Sequence, residues 1–220
     1  NIATEPGFFL LVSLIVALLA VTIFRLGIDL THLLLRTRTV SKASRAFSGL
    51  TSVFFVMFAG TWYMIPWIMG KASTFFYPEP TRAIPGTITE IPFFSFLVAD
   101  IHAHVWGMLS GVLILIILAI LWHDDEAGLT FKNHYLYALA FVLGVAYMVN
   151  SWDAITLGVL SIVIIALKYR SRFGYLRLAI ASILLAASSY AIALPLSIFN
   201  SSPINGIGFV HNRSSFPEWV

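Results

Sequence analysis

Three side chains with the chemistry of an active site stand two residues apart, Asp100, His102 and His104, at the start of a long apolar segment. A carboxylate beside two imidazoles can deprotonate a hydroxyl, hold a divalent cation, or simply cap the polar end of a helix. A helix would place Asp100 and His104 on one face with His102 pointing away, whereas an extended segment would align all three. Because ionisable groups at the mouth of a membrane-spanning helix are costly to keep there, we treat the cluster as a candidate functional site.

Two more carboxylates are candidates for the same site. Asp153 lies between two apolar segments, 135–149 and 154–167, that are each short for crossing a bilayer. Their shortness predicts a tight hairpin with a recessed tip, which draws Asp153 toward the membrane; the alternative is a helix-capping role in the turn. Glu90 lies in a proline-rich stretch, 71–96, whose composition argues against a regular helix. It is either a second catalytic carboxylate or a solvated loop residue.

Arginine and aromatic residues near these carboxylates are candidates for substrate contacts. Arg82 and Arg213 suit a phosphate or pyrophosphate group, because a guanidinium binds such oxygens in bidentate fashion, although loop solubility explains them equally well. Trp152, which precedes Asp153, is either an interfacial anchor or a platform for substrate. Three phenylalanines before Asp100 are expected to act as membrane-inserted anchors: Phe93, Phe94 and Phe96.

Composition places the chain among membrane proteins. It has 220 residues, 59% hydrophobic and 10% charged, whereas soluble domains average roughly 25% charged residues. The net charge of +3 comes from basic residues in short loops between apolar runs, so it reflects membrane topology and does not indicate nucleic-acid binding. The absence of cysteine excludes disulfides, thiolate zinc sites, iron–sulfur clusters and thiol nucleophiles. No phosphate-binding loop, dinucleotide-binding, serine-hydrolase or zinc-protease motif is present in the sequence.

Hydropathy predicts an all-α fold, a polytopic transmembrane helical bundle with about six spans in one domain covering residues 1–220. The spans are expected at 7–24, 47–69, 105–122, 135–149, 154–167 and 178–194. Gly107 and Gly111 have the spacing at which a second helix can approach closely. Because the chain starts without Met and stops soon after a polar stretch begins, we expect it to be a piece of a longer polytopic protein.

The basic residues predict the orientation of these spans. Alternation puts ten of the thirteen Lys and Arg on one side and leaves Lys71, Arg82 and Arg213 on the other. The positive-inside rule assigns the larger group to the cytoplasm. The Asp100–His104 cluster and the Asn-Ser-Trp-Asp tip that ends at Asp153 then lie together on the extracytoplasmic face.

Residues 82–104 resemble the signature of the "YYY" membrane proteins, large and poorly characterised polytopic proteins of bacteria and archaea named for a tyrosine triplet. That pattern runs approximately R-x-I-P-x-T-I-x-E-F-P-F-F-S-F-L-x-x-D-L-H-x-H and is followed by N-[ST]-W-D, which residues 150–153 match. The match is dense over about 23 residues. The tyrosine triplet is absent, and so is any acidic first loop, which in related enzymes can carry the catalytic base.

The "YYY" proteins are similar in organisation to membrane glycosyltransferases of the GT-C type. The resemblance implies a GT-C-like enzyme of the prokaryotic plasma membrane that takes a sugar from a polyprenyl-phosphate donor at the extracytoplasmic face, with or without a metal ion. It implies that Glu90, Asp100, His102, His104 and Asp153 line such a site. We expect Asp100 and Glu90 to be the catalytic residues. The residues expected to bind substrate are His102, His104, Arg82, Asn150, Trp152, Asp153 and Arg213. A divalent metal, where one is used, would be held by Asp100, His102 and His104.

Two other functions stay open at this point. A transporter or proton-coupled carrier would use the same polar residues as a relay, but it should also have ionisable groups deep in the cytoplasmic half of the spans, which are nearly free of charge. A non-catalytic membrane subunit would use its polar face to dock other membrane subunits. The expected partners of the transferase are the lipid bilayer and a lipid-linked sugar donor, with no nucleic acid.

Overall fold

Helices make up most of the chain that the computed structural model describes, which is residues 4–35, 40–59, 69, 92–100, 102–130 and 132–199. Within these ranges there is no strand, and the predicted all-α membrane bundle is confirmed. The α-helices are α1 (Thr4–Leu35), α2 (Lys42–Val53), α3 (Pro92–Leu97), α4 (Ala103–His123), α5 (His134–Val149), α6 (Ser151–Tyr169) and α7 (Tyr175–Phe199). A π-helical segment, Phe54–Phe58, continues α2.

Four of the described helices are long and apolar enough to cross a membrane: α1 over Pro6–Leu35, α4, α6 and α7. Helix α5 is apolar but has only 16 residues, or roughly 24 Å at 1.5 Å per residue. Each predicted span except the second falls inside one helix. The second, 47–69, begins in α2 and the π-helical segment, and most of its remainder lies outside the described residues.

Side-chain contacts give the direction of each helix. Helix α2 returns antiparallel along α1, since Gly49 faces Phe24 and Gly27 faces Ser52. Helices α4 and α6 run parallel with a constant offset along their length. The pairs in contact are Gly107 with Asp153, Gly111 with Leu157, and Trp122 with Lys168. Helix α5 connects them in the opposite direction, and α7 packs against α5.

The bundle therefore has two chemically different ends. We call the one that carries the α4–α5 and α6–α7 loops the basic end; its cations include Lys132, Lys168, Arg170, Arg172 and Arg177. We call the opposite one the motif end, because Asp100–His104 and Asn150–Asp153 lie there at the starts of α4 and α6. This common placement agrees with the predicted convergence of the polar motifs on one side.

Contacts across the interior hold α4, α5, α6 and α7 in this register. The main buried cluster includes Ile114, Leu139, Ile165, Tyr169 and Leu185. At the basic end the fully buried Tyr169 donates its hydroxyl hydrogen to the carbonyl oxygen of Ala127 at 2.8 Å. Lys168 Nζ donates to the carbonyl oxygens of Trp122 and Asp124, both at 3.0 Å. These bonds fasten the end of α6 to the α4–α5 loop and so fix where the start of α6 meets α4.

Candidate functional site

The short helix α3 leads into the candidate site. Its residue Phe93 packs against Phe58 of the π-helical segment, with ring centroids 5.3 Å apart, and Phe94 is buried. Phe96 contacts the small cluster that joins α1 to α4. The expectation of a membrane-inserted anchor at Phe94 is therefore wrong, and the expectation of no regular helix over 71–96 is wrong for Pro92–Leu97. The aromatic run instead holds the chain that delivers Asp100 against the bundle.

A sharp reversal then separates α3 from α4. Ala99 has φ of 55°, a left-handed conformation that residues other than glycine rarely adopt. Amide N–H groups at the reversal donate to carbonyls of α3, from Asp100 to Ser95 at 2.8 Å and from Ala99 to Phe96 at 3.2 Å. His102 follows in an extended conformation and caps the start of α4. Asp100 and His102 therefore lie in non-helical backbone directly before α4, the helix that carries His104.

Asp100, His102 and His104 form a series of contacts. His102 Nδ1 lies 2.9 Å from Asp100 Oδ1, an ion-pair distance, and the nitrogen itself is shielded from solvent. The His102 and His104 rings meet edge to face, with centroids 3.9 Å apart and an interplanar angle of 83°. The three residues follow neither of the two predicted geometries, a helix throughout or an extended segment throughout. Asp100 and His102 precede the helix, whereas His104 lies in its first turn. A carboxylate in contact with an imidazole is an arrangement that can accept a proton from a nearby hydroxyl.

The part of the chain that the structure describes contains no group of three His, Asp or Glu side chains arranged to hold a metal ion. Asp100, His102 and His104 are therefore not arranged as a complete set of metal ligands. A divalent ion at this place would need further oxygen or nitrogen ligands. Glu90, the nearest other carboxylate in the sequence, lies outside the described residues, and the metal site stays a prediction.

The second motif is a one-residue connection between two helices. Asn150 both ends α5 and caps α6, where its Oδ1 accepts a hydrogen bond from the amide N–H of Trp152 at 3.2 Å. The predicted tight hairpin is confirmed, and the capping residue is Asn150 rather than Asp153. Trp152 is 65% exposed, and Asp153 is half-buried in the first turn of α6. Both interpretations of Trp152, anchor and platform, fit this exposure.

Gly107 brings the two motifs together. The Asp153 carboxylate lies so close to it that a Cβ at position 107 would overlap Asp153 Oδ2, and Cβ of Asn150 is 3.9 Å from the same point. One turn further along, a Cβ at Gly111 would lie 3.6 Å from Leu157 Cδ1. The predicted close helix approach at these glycines is therefore found, and α6 is the partner helix. Gly107 follows His104 by three residues, roughly 4.5 Å of helix rise, so Asp153 meets α4 about one turn beyond His104.

The structure places five of the nine sequence-predicted site residues at the motif end: Asp100, His102 and His104 at the start of α4, and Asn150 and Asp153 at the start of α6. Trp152 lies on the same hairpin tip. Glu90, Arg82 and Arg213 lie outside the described residues. The sequence predicted only that Gly107 permits close packing of a second helix. It did not predict that the Asp153 carboxylate lies against this glycine. Its position one turn after His104 is the signal that could have indicated it.

A comparison with protein families covers the whole chain. The family model described as "Uncharacterized membrane protein (DUF2298)" matches residues 1–220. The chain belongs to this family. Membership of the DUF2298 family confirms a membrane protein of an uncharacterised kind, in agreement with the apolar helices and with that part of the "YYY" resemblance. Neither a curated protein nor a solved structure matches the chain.

Proposed function

We propose that the motif end is the catalytic site of a membrane glycosyltransferase that takes a sugar from a polyprenyl-phosphate donor at the extracytoplasmic face. The observation that carries this proposal is the seating of Asp153 on Gly107, because it joins two polar motifs from separate helices at one place. Helix-capping residues have no need to meet in this way. Two acidic groups and two imidazoles at the motif end supply the base and the charge stabilisation that glycosyl transfer requires.

The residues take separate roles in the transfer step. Asp100, oriented by its contact with His102, accepts the proton of the acceptor hydroxyl. The acceptor oxygen forms a bond to the anomeric carbon of the sugar, and the bond from that carbon to the donor phosphate oxygen breaks. The phosphate leaves with the bonding electron pair as polyprenyl phosphate. His104 and Asp153 hold sugar hydroxyls and stabilise positive charge that develops on the sugar, and Arg82 or Arg213 binds the donor phosphate.

Two features of the surface support a lipid-linked donor. Leu97 and Trp152, which precede Asp100 and Asp153 in the sequence, are 52% and 65% exposed, so each motif carries exposed apolar surface. A donor held in the bilayer by its polyprenyl chain can approach across such a surface. The concentration of Lys and Arg at the basic end supports an extracytoplasmic position for the motif end by the positive-inside rule.

The carrier alternative has less support. Between His104 and His123, helix α4 contains no charged residue, and the segment is roughly 27 Å long at 1.5 Å per residue. Charged groups of the described residues occur again at the basic end, where Arg25 and Asp29 of α1 pair at 2.8 Å. A proton relay would have to bridge this apolar length. The transferase needs polar groups at one end only.

The test is turnover of a defined donor by the full chain in lipid nanodiscs. Sugars linked to polyprenyl phosphate are supplied as a panel, and release of polyprenyl phosphate is measured, because this product is common to every sugar. Asp100→Asn should lower the rate by at least about 100-fold, the contribution of a general base. Asp125→Asn is the matched control, since it removes a carboxylate at the basic end where only the backbone carbonyl makes a described bond. An Asp100→Asn protein that melts normally and keeps full turnover would exclude the assignment.

A further inference from the structure

A groove between α5 and α7 lies away from the proposed catalytic site, toward the basic end of the bundle. Its volume is about 380 Å³. Its walls are apolar, formed by Leu136 and Ala140 of α5 and by Ile180, Ala181 and Leu184 of α7. Polar side chains line it at its two ends: Thr130, Asn133 and Arg177 at the basic end, and Ser188 at the other. The groove is therefore an apolar channel with a polar mouth.

The dimensions of the groove match one hydrocarbon chain. Along α7 its lining runs from Arg177 to Ser188, or roughly 16 Å at 1.5 Å per residue. Half the thickness of a bilayer hydrocarbon core is about 15 Å. The groove can thus hold an acyl chain of one leaflet.

The groove opens sideways toward lipid. Three of its lining side chains, Tyr137, Ile180 and Leu184, are also exposed, by 58%, 47% and 47%. Large apolar side chains that remain exposed on the outside of a membrane bundle face the bilayer. A lipid chain therefore enters from the side without any movement of the helices.

The mouth of the groove carries a cation suited to a phosphate group. Arg177 lies in the first turn of α7, with its guanidinium carbon 5.8 Å from the centre of the Phe173 ring. Lys168 and Arg172 donate to backbone carbonyls of the α4–α5 loop and so serve the fold. Among the described residues, Arg177 is the cation that lines this groove. Its planar guanidinium can bind two phosphate oxygens at once.

We propose that the groove binds one anionic glycerophospholipid, with an acyl chain between α5 and α7 and the phosphate on Arg177. The net positive charge of the basic end favours an anionic headgroup over a zwitterionic one. The bound lipid fills a space between two helices that the protein's own side chains leave open. This inference is independent of the proposed transferase activity, because none of the lining residues belongs to the motif end.

Native mass spectrometry of the full chain tests the proposal, with phosphatidylglycerol and phosphatidylcholine of identical acyl chains as probes. The wild type should retain phosphatidylglycerol in preference to phosphatidylcholine. Arg177→Gln should lower retention of phosphatidylglycerol about five-fold, the effect of one basic residue at an anionic surface. Arg170→Gln removes an exposed cation of the same loop that does not line the groove, so it should lower retention clearly less than Arg177→Gln does.

A second variant tests the acyl-chain part. Ala181→Phe places a ring in the groove and should reduce retention of both lipids. Equal retention of phosphatidylglycerol by the Arg177 and Arg170 variants, equal retention of the two lipids by the wild type, or undiminished lipid on a folded Ala181→Phe protein would each overturn the proposal. Should Ala181→Phe lose its cooperative melting transition, the two arginine variants decide the matter.

Discussion

The substitution Gly107→Ala should move the Asp153 carboxylate while leaving the stability of the bundle nearly unchanged. The added methyl group would occupy the space of Asp153 Oδ2, so the carboxylate must rotate or shift away from α4. Overpacking typically costs about 1–3 kcal/mol of stability. We expect a cost near the lower limit, about 1 kcal/mol, because the Asp153 side chain is short, partly exposed and able to turn aside. Replacing glycine by alanine inside a helix returns about 1 kcal/mol. The free energy of unfolding should therefore change little.

Activity should respond differently from stability. A carboxylate displaced by about 1 Å can lower the rate by about 100-fold, because catalytic groups act only in the correct geometry. The assay is release of polyprenyl phosphate from a lipid-linked sugar in nanodiscs, paired with thermal unfolding of the same preparation. We expect Gly107→Ala to melt within a few degrees of the wild type and to lose most of its turnover.

Gly111→Ala is the matched control on the same helix face. A methyl group there would lie 3.6 Å from Leu157 Cδ1, an ordinary van der Waals distance. This variant should keep its activity and gain up to about 1 kcal/mol of stability from helix propensity. Wild-type turnover in Gly107→Ala would refute a role for the position of Asp153. Equal losses of turnover in both variants would show that activity depends on the spacing of α4 and α6 and not on the Asp153 carboxylate.

Three further predictions concern the framework of the site. Ala99→Gly should raise the free energy of unfolding by about 1 kcal/mol, because glycine adopts the positive φ of this turn without a steric penalty. An unchanged or lower chemical-denaturation midpoint would contradict the inference that Ala99 is strained. Tyr169→Phe should lower the free energy of unfolding by about 1–3 kcal/mol, since the buried carbonyl of Ala127 loses its donor, and a thermal melt matching the wild type would be the contrary result. Hydrogen bonding from the Tyr135 side chain, with smaller contributions from nearby amides and Lys168, lowers the pKa of Asp124. The stabilising contribution of ionised Asp124 is therefore present above its pKa in the unfolded chain and is lost as the pH falls through its lower pKa in the folded protein. Melting temperatures should drop below about pH 4. The substitution Tyr135→Phe should make that drop smaller.

The helices and their common polar end were predictable because they depend on local composition. Long apolar runs require helices in a bilayer, and the shortness of the segments on either side of Asn150 allows only a hairpin there. Small residues at Gly107 and Gly111 indicated a close approach between helices. These features follow from the sequence before any tertiary contact is known.

The contacts that build the site were not predictable in the same way. The seating of Asp153 on Gly107 depends on the register of α4 against α6, which Tyr169 and Lys168 set by bonds to the α4–α5 loop more than 40 residues away in sequence. The left-handed Ala99 has no sequence signal, because glycine or asparagine would be expected at such a position. The meeting of His102 and His104 rings follows from that turn and could not be derived from spacing alone.

A structure of the wild-type chain in nanodiscs, with a non-transferable sugar phosphonate on a polyprenyl chain, would test the transferase site. We expect the sugar to lie at the motif end, with its anomeric carbon between the Asp100–His102 pair and Asp153. The polyprenyl chain should leave the site toward the bilayer past Leu97 or Trp152. Ordered donor at the basic end, or a motif end that binds none under saturating donor, would contradict the assignment of a transferase site.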